Sequence, residues 1–414
     1  MTHHSPSPLM FPIHQAFDQT AISDVSAGIR SAFQKTSLVP KVKPGQKVAV
    51  AVGSRGIHNL SLMVATVVSC LRDLGLNPFI FPAMGSHGGA TAQGQVAVLE
   101  DLGISPSTVK APVISTMDVV SLGRLESGAE VWFSKDALEA DHVALINRVK
   151  PHTLFHGEVE SGLCKMLTVG CGKHQGAEAM HKFGLGASIV PAAGIILKKA
   201  PILCGLALVE NARELTHTLT LATPEGFVKT DQELLSLARN LLPRIPLDVL
   251  DILVVDEMGK NISGAGIDPN VVGFWRRMGG PREPDYRTLI VLDLTRESQG
   301  NAVGIGMVDL TTRQVIDKID MEASYTNAIA TGLWTSVRLP IALENDKAVL
   351  ETALSKVRDP DKVRMVRIVN TLKLETFWAS GALLAELRPK QGIRVDDTPL
   401  PLQFDPHGRL LPSR

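Results

Sequence analysis

The residues between Asn147 and His181 carry the side chains best suited to chemistry in this chain. Four of the twelve histidines (His152, His156, His174 and His181) fall in this stretch, and Lys165 lies among them in a run with few other charges. Imidazole changes charge near neutral pH and is the commonest metal ligand. A lysine in an apolar setting can have its pKa depressed and become a nucleophile. Glycines on either side let the backbone approach a ligand closely. The combination reads as a site, not as core.

Positioning such residues requires a scaffold. Residues 47–52 (Lys-Val-Ala-Val-Ala-Val) are a short apolar run that predicts a buried strand, and 58–74 has helical spacing ending at Gly75. Residues 78–82 predict the next strand, and 91–102 a helix closed by Gly103. Strand, helix, strand, helix at this spacing predicts a βαβ unit on a parallel sheet. Further strands are expected at 113–116, 131–134, 142–146, 202–209 and 216–221, with helices at 187–198 and 230–242. After Pro243-Arg-Ile-Pro246 the pattern restarts, with strands at 251–256, 289–294 and 365–370 and apolar helical stretches at 301–308 and 327–343. The expected fold class is α/β: two α/β domains with mainly parallel sheets and an active-site cleft between them. Residues 1–245 would be the catalytic domain and 246–414 the domain closing the cleft.

Composition narrows the function. Of 414 residues, 44% are hydrophobic and 20% charged, as in a soluble globular protein. Lys+Arg and Asp+Glu both total 42, and aromatics are 4%. With no basic surplus and few stacking rings, nucleic acid is not an expected partner. No apolar run reaches the roughly 18 residues that cross a bilayer, and the opening Met-Thr-His-His-Ser-Pro lacks a secretory pattern, so no membrane association and a cytoplasmic location are expected. Cys70, Cys164, Cys171 and Cys204 form no Cys-x-x-Cys pair and read as free thiols.

Two loops follow the first two predicted strands. One is Gly53-Ser54-Arg55-Gly56; the other is Met84-Gly-Ser-His87-Gly-Gly-Ala-Thr91. Open α/β sheets bind ligands at the carboxyl ends of their strands, and small residues before a helix expose backbone N–H groups to anions. Ser54 and Arg55 are therefore cofactor-binding candidates, and Arg55 can grip a phosphate or carboxylate bidentately. The alternative is a pair of ordinary turns with Thr91 as an N-cap. His142, opening its strand, reads as structural, and His58 as a helix opener. His152 follows the strand at 142–146 and should project from the same sheet edge as His87. Two imidazoles facing a substrate from opposite sides are what a two-base racemase or epimerase needs. Lys150, Lys173 and Lys260 are candidate partners for a substrate carboxylate; Lys260, in a glycine-rich loop after the strand at 251–256, is also placed among the cofactor-binding candidates.

Gly53-Ser-Arg-Gly, Met84-Gly-Ser-His-Gly and Lys150-Pro-His…Ser161-Gly-Leu-Cys-Lys165…His181 together resemble the nickel-pincer nucleotide-dependent lactate racemase family, in order from Lys47 to His181. The resemblance implies an isomerase acting on a 2-hydroxy acid by reversible hydride and proton transfer. It implies a pyridinium-3,5-dithiocarboxylate-type mononucleotide carrying nickel as cofactor, and cofactor biosynthesis proteins as partners. By position, His87 and His152 match the catalytic histidines, Lys165 the cofactor-tethering lysine, His181 the nickel ligand and Arg55 a phosphate-binding arginine; His174 competes with His181 for nickel. The chain departs from the family between His152 and Lys165, where a longer loop holds His156, Glu158 and Glu160, and at Val169-Gly170, where the family has Pro-Gly. Both changes point to a substrate other than lactate. Two other classes stay open: a divalent-metal hydrolase or lyase on His152, His174 and His181, and a non-catalytic metabolite-binding module.

Overall fold

A computed structural model describes residues 8–54 and 56–412. The chain forms two compact units, Asp18–Leu242 and the described part of Met1–Phe17 together with Pro243–Arg414.

In the first unit the sheet order is Asn77–Pro82, Lys47–Val52, His142–Arg148, Ile202–Glu210, Thr216–Ala222. The first four strands are parallel and the last is antiparallel to its neighbour. Side chains alternate across a strand. Val48, Val50 and Val52 therefore enter one buried cluster with the helix Leu60–Asp73, and Ala49 and Ala51 enter another on the opposite face. Burial of both faces explains the unbroken apolar run Lys-Val-Ala-Val-Ala-Val. The helix Ala92–Asp101 packs into the first cluster, and Lys173–Lys182, Leu185–Lys199 and Phe227–Leu241 pack into the second. Val119–Arg124 and Glu130–Ser134 pair as a separate hairpin.

The second unit is built on the order Ile341–Leu343, Leu310–Thr312, Asp285–Val291, Val249–Val255, Met365–Ile368, Thr376–Ser380, Met10–Gln15, Ile393–Val395. Its first five strands are parallel and the rest antiparallel.

Several expectations need correction. The N-terminal strand Met10–Gln15 was placed in the first domain, but its backbone is hydrogen-bonded between Thr376–Ser380 and Ile393–Val395 in the second unit. The helix expected at 301–308 is a loop ending in the short turn Ile305–Met307. Gly304 there has φ +103, and a Cβ on it would meet Ala265 O at 1.7 Å, so close backbone approach replaces helix. The stretch 327–343 divides at Gly332, which caps Met321–Thr331 at φ +68, and resumes as Trp334–Val337 and the strand Ile341–Leu343. The strand expected at 113–116 is only a bridge of Val113 to Ile80, because Pro112 has no N–H to extend the ladder.

Candidate active site at one edge of the sheet

The parallel register fixes the site. Val52 lies opposite both Pro82 and Ile146, so the loops after three strands leave from one edge. Those loops carry Ser54, His87 and His152. Ser54 and His87 meet, the hydroxyl hydrogen-bonded to the ring Nδ1. His87 is exposed. Arg55 lies outside the described residues.

The loop bearing His152 is closed at its base, where Lys150 and Ser161 exchange both backbone hydrogen bonds at 3.2 and 3.3 Å. Inside that neck sits Glu160, 1% exposed. Its carboxylate accepts from the backbone N–H groups of His152 and, at 3.1 Å, Gly157; from Arg239 Nη2 at 2.6 Å; and contacts His156 Nδ1 at 3.4 Å. The loop's acid is thus turned inward and organises the loop, whereas the sequence placed it beside the substrate.

Lys165 Nζ and His152 Nε2 are 2.8 Å apart. The backbone N–H of Leu154 donates to His152 Nδ1 at 3.1 Å. A neutral imidazole has one acceptor nitrogen and an ammonium only donates, so the Leu154 N–H and the Lys165 ammonium compete for the single lone pair of His152. Lys165 ends the short helix Leu163–Lys165, which passes directly into a π turn, Met166–Gly170. Single π turns are frequent at functional sites. Asp231, 1% exposed on the helix Phe227–Leu241, caps this short helix, accepting from the N–H groups of Leu163 and Cys164 at 2.8 Å each. Gly162 makes that possible: a Cβ there would lie 2.3 Å from Asp231 Oδ1. Burial raises the Asp231 carboxyl above its ordinary value, opposed by the two backbone donors.

His181 sits in the last turn of Lys173–Lys182. Burial, reinforced by the charge of Lys165, lowers its pKa to about 4, so the imidazole is neutral at physiological pH. His174 is exposed on the same helix. The two are seven residues apart, about 10 Å along the axis, a wide separation for ligands of one ion with bonds of about 2 Å. Among the described residues no group of three or more His, Cys, Asp or Glu side chains is arranged to hold a metal ion. The three-histidine cluster of His152, His174 and His181 is therefore not assembled.

Lys173 is not a substrate partner: it is 0% exposed, and its ammonium donates to Pro82 O at 2.6 Å and Gln95 Oε1 at 3.1 Å. Lys260 lies in the second unit, where its ammonium donates to Gly264 O at 2.8 Å and Asn327 Oδ1 at 3.2 Å. Cys164 and Cys171 are fully buried; burial holds the Cys164 thiol far above its ordinary value and Cys171 at about 12. His142 Nε2 donates to Gln46 Oε1 at 3.0 Å, a structural contact as expected. Of the residues sequence reasoning missed, Asp231 and Arg239 are distant in the chain from the groups they hold, and Gln95 is distant from Lys173. The one local signal was Gly162, whose missing side chain leaves room for the cap.

Residues 12–188 match the family model of the lactate racemase N-terminal domain. No curated protein matches the chain significantly. Among solved structures, the lactate racemase apoprotein from Thermoanaerobacterium thermosaccharolyticum aligns over 89% of this chain and 99% of its own, at 14% identity and a TM-score of 0.55. No helix among the described residues is long and apolar enough to cross a membrane. In the sequence of residues 12–188 and in the fold of most of its length, then, this chain is similar to lactate racemase.

Proposed function

We propose that the protein is a racemase or epimerase of a 2-hydroxy acid that works with a nickel-pincer mononucleotide, made for it by cofactor biosynthesis proteins. The observation that carries this reading is the 2.8 Å contact of Lys165 with His152, on the segment that leads through the π turn into the helix bearing His181. The residues fit the group. A neutral imidazole is the form that binds a metal, so His181 would hold nickel. Lys165, whose nitrogen lies 2.8 Å from His152 Nε2, would form the thioamide tether. When bound, the mononucleotide supplies an electron-poor ring able to accept a hydride from the substrate's α-carbon.

The chain's own residues move the proton. His152 and His87 take it from the substrate hydroxyl and return it, each serving one enantiomer. Leu154 N–H fixes the orientation of His152, and Ser54 that of His87. The departures from the family between His152 and Lys165 favour a substrate other than lactate. Intact-mass measurement tests the tether. Protein made beside the cofactor-making proteins should carry an added mass on the peptide containing Lys165, and Lys165→Ala should lack it. Unmodified wild-type protein with full activity would end the proposal. His87→Ala and His152→Ala should each lower turnover by about 10²–10⁴-fold, the usual worth of general acid–base catalysis, with opposite enantiomer bias.

A further inference from the structure

Lys173 and Gln95 form a buried relay whose purpose is not apparent from packing alone. Both are 0% exposed. Lys173 adopts φ +54, a left-handed conformation unusual for a residue with a side chain, and so turns its ammonium inward. From Pro82 O and Gln95 Oε1, the hydrogen bonds continue through the Gln95 amide: Nε2 donates to Gly85 O at 2.9 Å and to His87 O at 3.3 Å. The Phe81 ring lies 5.8 Å from the ammonium. The relay thus grips the His87 loop at its start, at Gly85 and at His87 itself. The loop backbone is also close-packed: a Cβ on Gly88 would meet Gly94 C at 2.4 Å, and Gly85 N donates to Gly170 O at 3.3 Å.

Lys173 opens the helix whose last turn holds His181, just after the π turn that follows Lys165. One hydrogen-bonded chain therefore joins the segment bearing Lys165 and His181 to the loop bearing His87. Burying an ammonium is expensive, and an apolar side chain would fill the same space. We infer that Lys173 and Gln95 are positioning residues that set His87 in register with Lys165 and His181. This assignment rests on the proposed acid–base role of His87 for its kinetic consequence, but the positioning itself can be measured without activity.

The test uses Gln95→Glu, which keeps an acceptor for Lys173 and loses the N–H donors to the loop, alongside Gln95→Leu and Lys173→Met. In the unloaded protein, the rate at which diethyl pyrocarbonate acylates His87, read by peptide mass spectrometry, should change at least about 3-fold in Gln95→Glu, while acylation of His14 stays as in wild type. In loaded protein the same variant should keep the added mass on Lys165 and lose turnover by about 10-fold or more, since misplacement by about 1 Å can lose about 100-fold. The loss should fall on kcat rather than KM, show the enantiomer bias of His87→Ala, and vanish in the His87→Ala background. Unchanged His87 acylation in Gln95→Glu and Lys173→Met would overturn the relay, as would a kinetic loss that adds to that of His87→Ala. If wild-type protein racemises no 2-hydroxy acid, the proposed function fails, and the acylation rates alone decide the relay.

Discussion

The loops bearing His87 and His152 leave the same sheet edge and are held in opposite ways. The His87 loop is gripped by its carbonyl oxygens, through an ammonium and an amide that donate. The His152 loop is gripped by its N–H groups, through a buried carboxylate that accepts, with Arg239 as counter-ion. The difference follows from geometry: a loop that turns its carbonyls inward needs donors, and one that turns its N–H groups inward needs an anion. It also sets what each loop loses when its anchor is removed. Without Glu160, the Arg239 charge and two loop N–H groups lose their partner together. Without Lys173, the carbonyls lose a donor but the fold no longer buries a lone charge.

The largest expected effect is therefore at Glu160. Glu160→Ala should destabilise the first unit by about 2–3 kcal/mol, as expected for lost hydrogen bonds to a buried charged group, read as a shift of the denaturant midpoint. A shift below that of Lys173→Met would reverse the comparison. Lys173→Met should change stability by only about 1 kcal/mol in either direction at neutral pH, because replacing a buried charge with an apolar side chain of like size offsets the lost bonds.

The same lysine gives the comparison a pH axis. Burial lowers its pKa from the ordinary 10.5 to about 8. Between those values the unfolded chain holds a proton that the folded protein releases, so this group's contribution to stability rises with pH from about 8 to about 10.5. Below pH 8 both states are charged and the burial penalty is present in full. The stability of wild type relative to Lys173→Met should therefore increase by on the order of 2 kcal/mol between pH 7.5 and pH 10, measured by chemical denaturation at each pH. A flat difference would mean that the ammonium is better solvated than its position implies.

Smaller still is Arg239→Lys. The guanidinium is partly exposed and water can replace some of what it gives, so the loss should stay below about 1 kcal/mol. A larger loss would show that Glu160 depends on the planar guanidinium, whose Nη2 reaches both Gly157 O and the carboxylate. The smallest effect concerns Cys164 and Cys171: both thiols should resist iodoacetamide in folded protein and react only after denaturation.

Some of this was legible in the residues. The runs at 47–52 and 78–82 are apolar without interruption because both faces of a parallel strand are buried, and that physics is local to the segment. Thr91 and Gly103 bracket their helix because caps satisfy backbone groups within one turn. The candidate residues His87, His152, Lys165 and His181 were readable from type and spacing. Where the reading went astray, at 301–308 and 327–343, glycines meet backbone from distant segments, which helical periodicity cannot register. The strand Met10–Gln15 likewise joins the second unit through hydrogen bonds to residues more than 360 positions away.

What only the tertiary structure decided is how the candidate groups are held. Asp231 capping the turn of Lys165, Arg239 balancing Glu160, and Lys173 reaching Gln95 join residues from 67 to 79 positions apart. Sequence alone makes buried charges look like substrate-binding ones, because a lysine or glutamate is normally at the surface. Lys173 and Glu160 are inside because each finds partners that only the folded chain brings to it.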